Sequence, residues 1–214
     1  MFSLGQGFTL CDADIVLGDG RLPVHRVLLA ARSPFFKREF QEGNVSEIVV
    51  SDVSVAIMDI LLDYIYTLQL DLIHHRNVGV LLPLAHRFIL PDLLHECCKC
   101  LSRILSIRNC LGIYLTAYEY SCNDLIAEVT RFVQKHFKEI ATQSNELFNM
   151  NPFVLKSLMS SDHLNVADES IVFDAICRWI SHAPELRSEH MVDLLPCVRL
   201  SLLKPETLWS IIKN

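Results

Sequence analysis

Ala13, Ile15 and Leu17 share one face of a period-two pattern, with Asp14 and Val16 on the other, which predicts a strand. Asp19 and Gly20 then offer positive-φ turn residues, and residues 21–24 return as a second strand, so the segment reads as a hairpin. From His25 the period changes. Val27, Leu28, Ala30 and Ala31 form an apolar run too compact for another strand, and Ser33 followed by Pro34 pairs an N-cap with a proline at the first helical position. A loop carrying Gly43 and Asn44 precedes Ile48, Val49 and Val50, a β-branched run suited to the same sheet.

Helical spacing dominates from there. Ile57, Ile60, Leu61, Tyr64, Ile65 and Leu68 fall on one helix face, capped by Asp52 or Ser54. Asn77 caps a helix carrying Val78, Leu81, Leu82, Ala85 and Phe88, and Pro83 inside it costs about 3 kcal/mol unless the helix kinks, so a kink is expected. Pro91 and Asp92 open a further helix through Leu93, Leu94, Cys97, Leu101 and Leu105. Beyond residue 105 the strand signals disappear. Helices are predicted over 109–120 and 123–140, from Asn151-Pro152, and from Asp168 with a stripe of Ile171, Val172, Ala175, Ile176, Trp179 and Ile180. Two more follow over 186–195 and 205–212, which gives a second half built of helices with short connections.

Composition narrows the function classes. With 214 residues, 51% of them hydrophobic, and a mean hydropathy of +0.30, the chain can bury a large core in one or two domains. A net charge of −6 leaves no basic excess for neutralising phosphates, which argues against nucleic acid as a direct partner. No apolar run approaches the roughly 20 residues of a membrane span, and residues 1–10 lack the features of a signal peptide. Eight cysteines, three of them crowded at Cys97, Cys98 and Cys100 and the rest among apolar neighbours, fit a reducing compartment. The expected location is the cytoplasm, with the nucleus as a second site.

Candidate chemistry is sparse. His95, Cys97, Cys98 and Cys100 include zinc-type ligands, but the C-x-x-C pair lies in a predicted helix and recurs nowhere else, so no metal is expected. There is no G-x-S-x-G elbow and no glycine-rich phosphate loop before a helix. His74 and His75 read as a loop pair, and Trp179 and Trp209 as core. Neither an enzyme nor a cofactor is indicated.

The stretch CDADIVLGDGRLPVHRVLLAARSPFFKREF, residues 11–40, resembles the opening of a BTB/POZ domain: a C-D pair, a hairpin, P-x-H-R, then L-A and S-x-x-F without a gap. The D-Y-I-Y-T of residues 63–67 continues the likeness. Independently, NCLGIYLTAYEYSCNDLIAEVTRFVQKHF and LNVADESIVFDAICRWISH resemble a BACK domain, and the order of the two is similar to kelch-like proteins. The resemblance implies an α+β BTB/POZ domain over 1–105, a small sheet with packed helices, followed by an all-α BACK helical domain over 106–214. It also implies that the chain is the N-terminal piece of a longer protein.

Functionally, the resemblance implies a non-catalytic adaptor that bridges a cullin-3 scaffold of a RING ubiquitin ligase and a protein substrate held elsewhere. The family's cullin-facing positions fall on Phe40, Val45, Glu47, Phe88 and Pro91. The apolar-x-Glu motif matches Val45-Ser46-Glu47 one position late and in a shortened loop, and Glu47 reads equally well as the first strand residue. Asp12 and Arg26 occupy the positions of a buried opposite-charge pair near the family's dimer surface, either supporting the fold alone or supporting assembly. The short stretch before Cys11 leaves no room for the helix the family swaps between protomers, so the expected homodimer is weak. The alternative function is a self-associating scaffold or transcriptional co-repressor that never meets a cullin.

Overall fold

The computed structural model describes residues 10–42, 45–161, 164, 166 and 168–203. They fall into two compact units that divide between Ile104 and Leu105.

In the first unit, strand β1 (Ala13–Leu17) pairs antiparallel with β2 (Gly20–Val24), and β3 (Glu47–Val50) lies parallel on its other side, giving the order β2-β1-β3. Ala13, Ile15, Leu17, Leu22, Val24, Ile48 and Val50 form the buried face. Leu17 stands opposite Gly20, so the turn residues are Gly18 and Asp19, one position earlier than expected. Among the described glycines none has a positive φ. Their role is close approach: a Cβ on Gly18 would sit 2.6 Å from the Ser51 carbonyl oxygen, and one on Gly20 would sit 2.9 Å from Val55 Cγ2. The tight corner lets Asp19 accept a hydrogen bond from the Val55 N–H at 2.8 Å, so the hairpin turn caps a helix 36 residues further on.

Among the described residues the helices of this unit are α1 (Arg26–Arg32), α2 (Pro34–Glu42), α3 (Val55–Thr67), α4 (Val78–Arg87) and α5 (Pro91–Arg103). Between α1 and α2, the fully buried Ser33 accepts the Phe36 N–H at 3.2 Å and donates to the Phe88 carbonyl. The cap expected from sequence therefore also ties α2 to the end of α4. Around it Phe36 stacks on Phe88 at 5.0 Å, with Phe35 at 5.1 Å from the same ring. On α3 the buried set is Met58, Leu61, Leu62, Tyr64 and Ile65, rotated from the expected face, and Leu68 ends exposed in a left-handed C-cap with φ 59°. Helix α4 continues through Pro83 as a single element. Asn77 does not cap it: its amide bonds the His74 N–H and the Leu72 carbonyl and closes the preceding turn instead.

The second unit contains α6 (Cys110–Glu119), α7 (Asn123–Lys135), α8 (Phe137–Gln143), α9 (Pro152–Met159), α10 (Ser170–Ser181), α11 (Pro184–Arg187) and α12 (Met191–Leu194). The expected helix over 123–140 breaks at His136, and the one over 186–195 divides into α11, a 3-10 turn at Ser188–His190, and α12. The helix expected over 205–212, with Trp209, lies outside the described residues. Asn151 caps α9 through a 2.8 Å bond from Val154 N–H, as the Asn-Pro signal predicts.

Trp179 is the centre of this unit. It is 1% exposed, and its indole N–H donates to the Met150 carbonyl at 2.9 Å. Arg187 covers it at 4.3 Å and donates to the Trp179 and Phe148 carbonyls at 2.9 and 2.7 Å, which fastens the end of α10 to α11.

Replacing Ser33 with Ala strands a buried N–H and a buried carbonyl, and the expected loss of stability is about 1–3 kcal/mol in urea denaturation. Asp19→Ala removes only one cap and is expected to cost about 1 kcal/mol. Burial, with Glu146 second, pushes the Cys110 thiol up to about 12, so mass mapping of maleimide labelling at pH 8 is expected to find Cys110 modified only after unfolding.

Candidate interaction surface

The five positions carried over for cullin contact do not form one accessible surface. Phe88 is fully buried and Phe40 is 5% exposed, both packed against Phe36, so they hold the core and cannot meet a partner. The physical reason is helix phase: Ser33, Phe36 and Phe40 share the inner face of α2, which leaves Pro34, Lys37 and Gln41 outside. Glu47 is the first residue of β3, opposite Asp14, and its carboxylate takes a hydrogen bond from Arg21 at 2.7 Å. It is committed to the sheet rather than presented on a loop. Val45 is half-buried beside residues 43 and 44, which lie outside the described residues. Pro91 is exposed at the start of α5.

Asp12 and Arg26 also differ from expectation. Asp12 is exposed, and its Oδ1 accepts the backbone N–H of Arg26 at 2.8 Å, which caps α1. The Arg26 guanidinium turns away, donating to the Phe40 carbonyl at 3.0 Å and lying 5.2 Å from the Phe40 ring. The buried ion pair is thus replaced by a cap and a separate tie to α2, because the short Asp side chain finds the helix N-terminus before it reaches the guanidinium.

What the fold brings together is a groove of about 680 Å³ along the outer faces of α1 and α2 and the turn between α4 and α5. Val27, Ala30 and Ala31 come from α1, Pro34 and Lys37 from α2, and Ile89 and Pro91 from the turn, with Arg32 at the junction. The Ser33 hydroxyl places the turn here by holding the Phe88 carbonyl. Ile89 then adopts a left-handed conformation at φ 54°, and the Leu90 N–H closes α4 on the Ala85 carbonyl at 2.8 Å. A β-branched residue in that region is strained by about 1–2 kcal/mol relative to glycine. The strain keeps an apolar side chain, 47% exposed, at the groove's lip, and Val27 faces it with 73% exposure. The charged residues lining the groove, Arg32 and Lys37, are both basic.

Metal chemistry has no geometric basis at the cysteine cluster, where Cys97 and Cys100 point into the core and His95 points to solvent. Among the described residues no group of three or more His, Cys, Asp or Glu converges to hold an ion. Sequence reasoning missed Val27, Lys37 and Ile89. The available signal was an isoleucine standing between two helices just before Leu90-Pro91, where a polar or glycine residue is the norm.

Comparison with known proteins agrees with this architecture. The BTB/POZ domain family matches residues 3–105, and the BACK family (BTB And C-terminal Kelch) matches residues 110–213. Kelch-like protein 2 of Rattus norvegicus is 36% identical over 203 residues, covering 93% of this chain and 34% of that protein. Kelch-like protein 3 of Homo sapiens is 38% identical over 198 residues, covering 91% and 33% respectively. The chain therefore spans about a third of the length of these curated relatives. The solved BTB domain of human gigaxonin is 30% identical, covers 42% of this chain and 75% of its own, and has a TM-score of 0.38. With one domain family on each of its two units and matches to these relatives over more than nine-tenths of its own length, the chain belongs to the kelch-like family of BTB–BACK proteins.

Proposed function

We propose that this chain is the scaffold-binding part of a non-catalytic substrate adaptor for a cullin-3 RING ubiquitin ligase. The observation that carries the reading is the groove between α1, α2 and the α4–α5 turn: apolar in its floor, basic at its rim, and with the Ile89 side chain held at its lip by a left-handed backbone. A protein substrate is held by a region outside this chain. Its modification then follows from proximity, since tethering replaces a bimolecular encounter by a high effective concentration beside the conjugating enzyme.

The contact residues in this proposal are Val27, Lys37, Ile89 and Pro91, not the buried Phe40 and Phe88. A helix of the scaffold laid in the groove would bury its apolar anchors against Val27 and Ile89. A standard interface of about 1,200–2,000 Å² requires the surrounding faces of α1 and α2 as well. Glu47 stands on the strand and contributes little.

Titration with the cullin-3 N-terminal domain tests the proposal. Val27→Asp and Ile89→Asp are each expected to weaken binding by at least about tenfold, or 1.4 kcal/mol. Ile89→Gly separates binding from folding: relief of the left-handed strain is expected to keep the melting temperature at or above that of the wild type while affinity falls. Glu47→Ala is expected to leave affinity within about twofold of wild type, in line with the small energies of exposed ion pairs. No detectable binding by the wild-type chain, with its helicity intact by circular dichroism, would overturn the proposal in favour of a scaffold or co-repressor that self-associates.

A further inference from the structure

A second, smaller depression lies next to the groove. The last turn of α3 and the chain beyond it contribute Tyr64, Leu68 and Leu70, and the first turns of α5 contribute Asp92, His95 and Glu96. It adjoins the groove through consecutive residues, since Pro91 lines one and Asp92 the other. Arg32 of the groove also acts electrostatically on the Tyr64 hydroxyl, as does Asp92.

Its volume is about 260 Å³, below the ~300–1,000 Å³ of pockets that take a drug-sized molecule and of the scale of one long side chain. The wall is apolar, with Leu68 43% and Leu70 36% exposed to solvent. The rim carries two carboxylates, Asp92 and Glu96, with the imidazole of His95 between them, all three on one face of α5 through their i, i+3 and i+4 spacing. Among the described residues Asp92 is in no ion pair, and Glu96 pairs with Lys99, which holds its carboxyl below the usual range. An apolar wall under a carboxylate rim suits a side chain with an aliphatic stem and a cationic head, which buries the stem and keeps the charge at the edge.

We infer that this depression receives an arginine or lysine side chain from the same protein partner that fills the groove. The inference rests on the proposed function and adds to it a polarity for the docked surface. The groove offers Arg32 and Lys37, and the depression offers Asp92 and Glu96, so the partner must present an apolar anchor with acidic neighbours on one side and a cation on the other. A partner turned end for end meets like charges in both places.

The test is titration of the 214-residue chain with the cullin-3 N-terminal domain at two ionic strengths. The double substitution Asp92→Lys/Glu96→Lys is expected to weaken binding about tenfold or more and to reduce its salt dependence. The near-isosteric Asp92→Asn/Glu96→Gln, which adds no repulsion and leaves the helix phase unchanged, is expected to weaken it about threefold. Both variants must keep the wild-type circular dichroism spectrum. Wild-type affinity and salt dependence in both, while Val27→Asp still weakens binding about tenfold or more, would overturn the inference and leave the proposed function standing. Absence of binding by the wild type itself would overturn both.

Discussion

The hydroxyl of Ser33 governs the first unit. One buried oxygen caps α2 through the Phe36 N–H and holds the Phe88 carbonyl at the end of α4, which joins segments 55 residues apart in sequence. A hydroxyl suits this position because it both accepts and donates, and each of its partners would otherwise be a buried, unpaired backbone group. Everything at the groove follows from that joint. The position of Phe88 sets where α4 stops, the stop puts Ile89 in a left-handed conformation, and Ile89 with Pro91 forms the lip opposite Val27.

A similar economy of polar groups runs through the rest of the fold. Asp19 in the hairpin turn caps α3, Asp12 caps α1, Asn151 caps α9, and Glu146 accepts the Gly112 N–H at 3.0 Å. In three of these the cap comes from a distant part of the chain, so each bond fixes tertiary position as well as a helix end. In the second unit the guanidinium groups take this role. Arg187 ties α11 to the carbonyls of Trp179 and Phe148, and Arg178 reaches the Ala141 carbonyl at 2.6 Å. These arginines bridge carbonyls at helix ends that the short linkers of this unit leave unpaired.

The charge pattern of the surface carries the functional argument. The chain as a whole is acidic, with net charge −6, yet the groove between α1 and α2 is lined by Arg32 and Lys37, while the carboxylates of Asp92 and Glu96 stand on the neighbouring turn of α5. The net charge by itself says nothing of this local alternation. Alternating sign beside an apolar floor is the kind of pattern that fixes orientation where two proteins dock.

Most of the elements were legible in the chain. Period two at Ala13, Ile15 and Leu17, the Ser33-Pro34 and Asn151-Pro152 caps, and helical spacing from Val55 onward locate the sheet strands and most helices, because backbone geometry imposes those periods locally. The likeness to BTB and BACK domains was legible too, since it resides in residue order. What only the tertiary structure decided is which side of each element faces inward, and with whom each polar group pairs. The spacing of Phe40 and Phe88 is the same whether they are core or contact, and the pattern Val45-Ser46-Glu47 is the same on a loop or a strand. Asp12 and Arg26 are complementary in charge whether or not they touch. Helix phase about the core, the register of β3 against β1 and the reach of Ser33 settled these, because they depend on contacts between residues far apart in the chain, to which no local period is sensitive.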